Sequence, residues 1–141
     1  MARYPVQTIH VFIACFPSLE SALAYSQPQW EPEPAAEASD DEYEAWEERN
    51  PSWLMKNDLG ITYLDEDFIE TIWGANGDGG SSDWKYLSSF IGDESAAVCK
   101  KIAAIDDNTL ILIDAQASGG FPAAFRSTST MTYCGPFTSR H

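Results

Sequence analysis

The sequence predicts a single α+β domain, in which a mixed sheet of about four strands packs with helices and carries an acidic loop insertion at about residues 27–50. Two runs predict the sheet: Thr8–Phe16, apart from Thr8 and His10, and Thr109–Ala115, apart from Thr109 and Asp114, are apolar at successive positions. That pattern is typical of strands buried on both faces, so we expect both to be central. With 141 residues, the chain is long enough for one core and too short for two, and residues 1–141 are assigned to one domain.

The elements are expected in the order strand, helix, acidic loop, helix, strand, helix, helix, strand, strand. After the first strand, PSLESALAY predicts a helix capped by Ser18, with Leu19, Ala22 and Leu23 on its apolar face. Beyond the acidic loop, PSWLMKNDLG predicts a short helix that Gly60 ends.

The second half of the chain is expected to contain both strands and helices. ITYL predicts a short strand, DEDFIETIWG a helix that stops at Gly74, and ANGDGGSSDW a glycine-rich loop. DESAAVCKKIAAI predicts an amphipathic helix capped by Asp93, with Val98, Ile102 and Ile105 on one face. TMTYCGPF predicts the last strand, after the loop Ser118–Ser129.

The charge balance narrows the classes of partner. With 22 acidic against 8 basic residues, the net charge is -14. Such a surface repels nucleic-acid phosphates and anionic membranes, so neither is an expected partner. The charge favours either a basic protein partner or simple solubility. Hydrophobic residues at 44% indicate a folded globule rather than a disordered acidic chain.

The insertion holds nine of the 22 acidic residues. Between Gln29 and Asn50 there are nine acidic residues and one base, Arg49. Its proline-containing first part, Gln27–Asp40, is expected to be extended or mobile. Its second part, DDEYEAWEERN, is expected to form a helix that carries Tyr43 and Trp46 on adjacent faces.

A second acidic run, LDEDFIE, places four carboxylates within residues 64–70. Asp65 is expected to cap a helix, while Glu66 and Asp67 occupy a first turn where the helix dipole favours anions. Glu70 has no such capping or dipole role, and it repels Glu66, which lies one turn before it. Capping therefore explains the start of the run, and the excess charge remains to be explained.

Catalytic and metal sites are not expected. The histidines are His10, inside a strand, and His141, so no serine or cysteine triad can be assembled. Read as a calcium loop, the glycine-rich segment places Leu87 where a bidentate glutamate is needed. We therefore expect no enzyme activity, no cofactor and no metal. Paired carboxylates acting as general acid and base remain a minor alternative.

The cysteines and the amino-terminal residues indicate the compartment. Cys15, Cys99 and Cys134 are odd in number and form no CxxC pair, as expected of buried free thiols in a reducing cytosol. The early apolar run VFIACF is too short for a membrane span and lacks the plan of a signal peptide. A cytoplasmic location is expected.

Four segments, TIHVFIACFPSLESALAY, WLMKNDLGITYLDEDFIE, NTLILIDAQ and MTYCGPF, together resemble the immunity protein twenty-two family of bacterial polymorphic toxin systems. The most specific part is the block Trp53–Glu70, in which Leu54 departs from the phenylalanine expected of the family. The matching positions in the block are Asp58, Gly60, Tyr63, Asp65, Asp67, Phe68 and Glu70. The resemblance implies a cytoplasmic, non-catalytic protein that binds and neutralises a cognate toxin. It supplies no binding residues, and the block is open to a structural as well as a functional interpretation.

Charge then suggests which residues contact such a partner. A basic toxin, such as a nuclease, would be met by carboxylates standing where phosphates lie. The partner-binding residues are expected to be Asp41, Glu44, Glu47 and Glu48 with Trp46 as aromatic anchor, and Asp67 and Glu70 as a secondary contact. The alternative is a general acidic protein-interaction or structural module.

Overall fold

The part of the chain that the structure describes forms four strands and five α-helices. This computed structural model describes residues 7–74, 81–104, 106–120 and 123–139, with the backbone alone for 81–83. The strands are β1 Thr8–Ala14, β2 Ile69–Trp73, β3 Thr109–Asp114 and β4 Met131–Thr138. The helices are α1 Leu19–Ser26, α2 Asp40–Arg49, α3 Leu54–Leu59, α4 Ser81–Ile91 and α5 Asp93–Ile102, and 3-10 turns cover Glu66–Phe68 and Ala115–Ser118.

The four strands form one sheet in the order β2-β3-β1-β4. The α+β class and the central positions of β1 and β3 are therefore confirmed. The expectation of a mixed sheet is wrong, because all three pairings are antiparallel. β1 and β3 are apolar on both sides because helices cover both faces of the sheet, and such cover does not require parallel strands.

The sheet separates two apolar cores. On one face, Phe12, Ile111 and Ile113 pack with α1, α3 and Trp53. On the other face, Val11, Ile13 and Leu112 pack with Leu87 and Ile91 of α4 and with Cys99 of α5. Strand residues alternate between the two cores because successive side chains of a strand point to opposite faces.

Hydrogen exchange is expected to be slowest in β1 and β3. Both strands are paired on both sides and buried on both faces, so their amide hydrogens exchange only when the whole domain unfolds. Native-state exchange followed by NMR checks this, with the edge strands β2 and β4 as internal controls. Exchange in β1 that is as fast as in β2 would contradict the central position of β1.

The structure rotates two helices relative to the faces expected from their apolar residues. In α1, capped by Ser18 as expected, Leu19 and Leu23 are exposed and Ala22 faces the core. In place of the two leucines, Tyr25 points inward, where its hydroxyl donates to Asp58 Oδ2 at 2.9 Å. Tyr25 therefore packs into the core while the two leucines face solvent.

In α5 the expected apolar face is also wrong. Val98 and Ile102 are 48% and 43% exposed, whereas Ala96 and Cys99 are buried against the sheet. Small side chains on the buried face let the helix lie close to the strands. Asp93 is the first residue of the helix rather than its cap, which is Gly92, and Ile105 lies outside the described residues.

The segment after α3 differs most from expectation. Gly60 ends α3 in the left-handed conformation at φ 68°, as expected, but ITYL forms no strand. The helix expected over DEDFIETIWG is a 3-10 turn followed by β2. β-branched Ile69, Thr71 and Ile72 favour a strand, and pairing with β3 decides the outcome.

Two further expectations are corrected by α4 and by the cysteines. Residues 81–84 belong to α4 rather than to the glycine-rich loop, whose residues 75–80 lie outside the described residues. Cys99 is buried, but Cys134 is half-buried and Cys15 is exposed just beyond β1, so three buried thiols are not found. All three cysteines are free.

Candidate functional site

The acidic insertion folds as a closed excursion from the domain. A backbone pair joins Gln29 to Ser52 with bonds of 2.8 and 2.9 Å, so the chain leaves and returns at one point. We call residues 29–52 the acidic excursion. Its first part runs without regular structure to Ser39, and α2 then returns the chain, as expected from the sequence.

Local hydrogen bonds hold α2 against the extended part of the excursion. The Tyr43 hydroxyl donates to the Pro34 carbonyl at 3.1 Å, and the Trp46 indole N–H donates to the Glu31 carbonyl at 3.2 Å. Glu31 also forms a salt bridge with Arg49, in which Oε2 lies 2.9 Å from Arg49 Nε. Tyr43 and Trp46 therefore mark the inward side of α2, and no residue of α2 is buried.

The opposite side of α2 presents carboxylates to solvent. At 3.6 residues per turn, Asp41, Glu44 and Glu48 share the side facing away from Tyr43 and Trp46, and Glu47 lies at its border. We call these three residues the outward face. All four acids are exposed, and none forms an ion pair with any residue that the structure describes.

Trp46 and Trp30 differ in their access to a partner. Trp46, the expected aromatic anchor, is half-buried on the inward side and lies 5.8 Å from Trp30, measured between ring centroids. Trp30 is 59% exposed, so it is the more accessible of the two aromatic rings. The sequence placed Trp30 among the acids but gave no sign of its exposure.

The second acidic run frames a shallow groove at the edge of the sheet. Asp67, Glu70 and Asp114 line a cavity of about 190 Å³ together with the apolar side chains of Ile9, Phe68, Ile69, Phe90 and Leu112. We call this cavity the edge groove. Asp114 was not among the expected site residues, although it lies at the end of an apolar strand run in the sequence. Carboxylates above an apolar floor suit a long basic side chain.

Glu70, which had no duty in the sequence, has a contact in the fold. Its carboxylate accepts a hydrogen bond from the Tyr86 hydroxyl of α4 at 2.6 Å. Burial, together with this bond to Glu70, raises the pKa of Tyr86 to about 12. The bond links β2 to α4 and fixes the position of the carboxylate at the groove.

Asp65 caps the turn that leads into β2, which confirms it as a capping residue. Its Oδ1 accepts the Asp67 N–H at 3.0 Å, but the capped element is the 3-10 turn Glu66–Phe68 rather than an α-helix. Replacing Asp65 with alanine is therefore expected to cost about 1 kcal/mol of unfolding free energy. Chemical denaturation measures this, with Glu66→Ala as the control. Equal stability of the two variants would contradict the capping role.

His10 lies on β1 in an aromatic cluster. Its Nδ1 lies 2.8 Å from the Tyr133 hydroxyl, and its ring stacks on Phe125 with 3.8 Å between centroids. Partial burial lowers the pKa of His10 below its ordinary value of 6.5, against the attraction of Asp114. The contacts make His10 a packed and hydrogen-bonded residue of a central strand.

The lowered pKa of His10 predicts a pH effect on stability. Folding favours the neutral ring, so its contribution is present above the unfolded pKa near 6.5 and is lost as pH falls through the lower folded pKa. Unfolding free energies at pH 7.5 and 5.5, compared between the wild type and His10→Phe, separate the effect of His10 from that of the carboxylates. The wild type is expected to lose more stability on acidification, and equal losses would contradict the assignment.

Two other kinds of site are not found among the described residues. Within them, no three histidine, cysteine or carboxylate side chains are grouped closely enough to hold a metal ion. Among the described helices, none has the length and apolarity needed to cross a bilayer.

Fold and surfaces together define a small α+β domain that presents carboxylates at an excursion and at a sheet edge. Comparison of the chain with known protein families, with curated proteins and with solved structures finds no match.

Proposed function

We propose that this protein is a non-catalytic inhibitor that binds and neutralises a cognate bacterial toxin in the cytoplasm, and that the toxin is basic. The observation that carries the proposal is the outward face of α2, a set of exposed carboxylates on a helix that contributes nothing to the core. A nuclease is one class of basic toxin, because an enzyme that binds phosphate presents cations.

The acids of α2 exceed what the helix itself needs. Ser39 caps α2 by accepting the Glu42 N–H at 3.2 Å, and acids in the first turn favour the helix dipole. Glu47 and Glu48 instead lie near the carboxyl end, where the dipole disfavours anions. Glu44 also repels Glu47 and Glu48 at spacings of three and four residues. Each such pair costs a few tenths of a kcal/mol, so recognition of a cation explains them better than stability.

The architecture of the excursion suits rapid capture. Exposed carboxylates attract a basic partner over distances of about a Debye length, which raises association rates by roughly 10 to 1,000 times at low salt. The internal bonds of Tyr43, Trp46 and Glu31 hold the helix in place before binding, so less ordering is needed on contact. A cell that makes its own toxin needs such speed.

The resemblance to the immunity family also supports the proposal. It rests on the quoted residues alone, and several in the block Trp53–Glu70 have structural duties in this chain. Asp58 accepts the Tyr25 hydroxyl, Gly60 ends α3, and Asp65 caps a turn. Family-like residues in the block thus serve the fold, and contact with the toxin is assigned chiefly to the excursion.

The test is co-expression with the product of the neighbouring gene in a host that this product kills. Restored growth together with a stable complex on co-purification is the expected result. The quadruple variant Asp41→Asn, Glu44→Gln, Glu47→Gln and Glu48→Gln should protect less well at equal expression. Failure of the wild type to protect or to form a complex would leave a general acidic interaction module as the better interpretation.

A further inference from the structure

A cleft between α4 and α5 is lined by two lysines and one aspartate, so its own charge is positive on a chain whose net charge is -14. The two helices meet at Gly92, whose φ of 95° only glycine adopts readily, and the cleft between them measures about 660 Å³. Its floor includes the buried Ala96, and the half-buried Trp84 forms part of its wall. This volume is within the range of about 300–1,000 Å³ usual for small-molecule sites.

Two lysines line the cleft from opposite helices. Lys85 of α4 and Lys100 of α5 each lie about two turns from the corner at Gly92, and so stand towards its open end. Both are exposed, and neither ammonium forms an ion pair with a described residue. Lys100 is in the last turn of α5, where the helix dipole favours a cation, but Lys85 has no such reason.

Asp93 and Ser88 give the other end of the cleft a different polarity. Asp93 directly follows Gly92 and is exposed, and Ser88 is half-buried one turn before the corner. A carboxylate accepts hydrogen bonds from amino or hydroxyl groups and repels anions. A ligand would therefore place its negative group away from Asp93, between the lysines, and its donors near Asp93. The indole of Trp84 offers an aromatic surface on which a ring can stack.

We propose that the α4–α5 cleft binds a small aromatic anion of mononucleotide size. Its phosphate lies between Lys85 and Lys100, its ring lies against Trp84, and its hydroxyl or amino groups donate to Asp93. The net charge of -14 repels anions at long range, but a pair of nearby ammonium groups outweighs distant screened charges within a Debye length of about 8–10 Å. The cleft shares no residue with the outward face of α2.

The experiment is a calorimetric titration of the full chain with each of the four common ribonucleoside 5′-monophosphates. At least one is expected to bind with a dissociation constant below about 1 mM, and the matching nucleoside without phosphate at least tenfold more weakly. Lys85→Gln and Lys100→Gln should each weaken binding about tenfold. Lys101→Gln is the matched control, because Lys101 neighbours Lys100 on α5 and does not line the cleft.

Three results would overturn the proposal. One is absence of binding by all four monophosphates at about 1 mM. Another is an equal loss of affinity in Lys101→Gln, which would indicate attraction to charge in general. The third is equal binding of the nucleoside, or tighter binding of an acidic peptide that the same lysine variants weaken, which would assign the cleft to another ligand. Melting temperatures confirm that each variant is folded.

Discussion

Neutralising Asp41, Glu44, Glu47 and Glu48 is expected to slow association with a basic toxin by roughly 10 to 100 times at low salt. These carboxylates are exposed and form no ion pair with a described residue, so removing their charges weakens the long-range attraction to a basic partner. The melting temperature should remain nearly unchanged, because none of these side chains is buried and the helix keeps its cap at Ser39. Stopped-flow mixing at two salt concentrations measures the rate.

A matched control separates this surface from total charge. Four exposed acids outside the excursion are neutralised together in one variant; they are Glu20, Glu66, Glu94 and Asp106. This variant has the same net charge as the quadruple variant of α2 and is expected to associate much faster. If the α2 variant binds at the wild-type rate in low salt, the excursion serves only solubility and the site assignment is wrong.

Replacing Phe12 with alanine is expected to lower the unfolding free energy by about 3–5 kcal/mol. Phe12 is fully buried on a central strand, where its ring centroid lies 4.9 Å from that of Tyr133. Truncation removes apolar contacts and leaves a cavity between the sheet and its helices. Since domains are stable by only about 5–15 kcal/mol, the loss is a large part of the total.

Leu19→Ala is the control for this second prediction. Leu19 is also a large apolar residue, but it is 45% exposed on α1, so its loss should cost under about 1 kcal/mol. Denaturant titration of both variants gives the two free energies. A loss of less than about 1 kcal/mol in Phe12→Ala would mean that the core on this face of the sheet is less well packed than the structure indicates.

Local sequence determined the features that depend on neighbouring residues. Doubly apolar runs specified β1 and β3 as central strands, since no exposed strand tolerates such a pattern. Ser18, Gly60 and Asp65 mark element ends because capping and the left-handed conformation involve only residues close in the chain. The charge of the insertion and its helix were likewise evident from composition and spacing.

Features that depend on distant partners were not determined in this way. Whether DEDFIETIWG forms a helix or a strand depends on pairing with β3, about 40 residues away in the chain, and that pairing favours the strand. The buried faces of α1 and α5 follow from what they pack against, and so Tyr25 and Cys99 turn inward while leucine and valine are exposed.

The candidate surfaces show the same division. The sequence identified Asp41, Glu44, Glu47 and Glu48 because charge is a property of composition, but only folding separated an outward from an inward side of α2. Tertiary structure placed Trp46 against Glu31 and left Trp30 exposed. It also brought Asp114 beside Asp67 and Glu70, since a groove consists of residues that become neighbours only when the sheet forms.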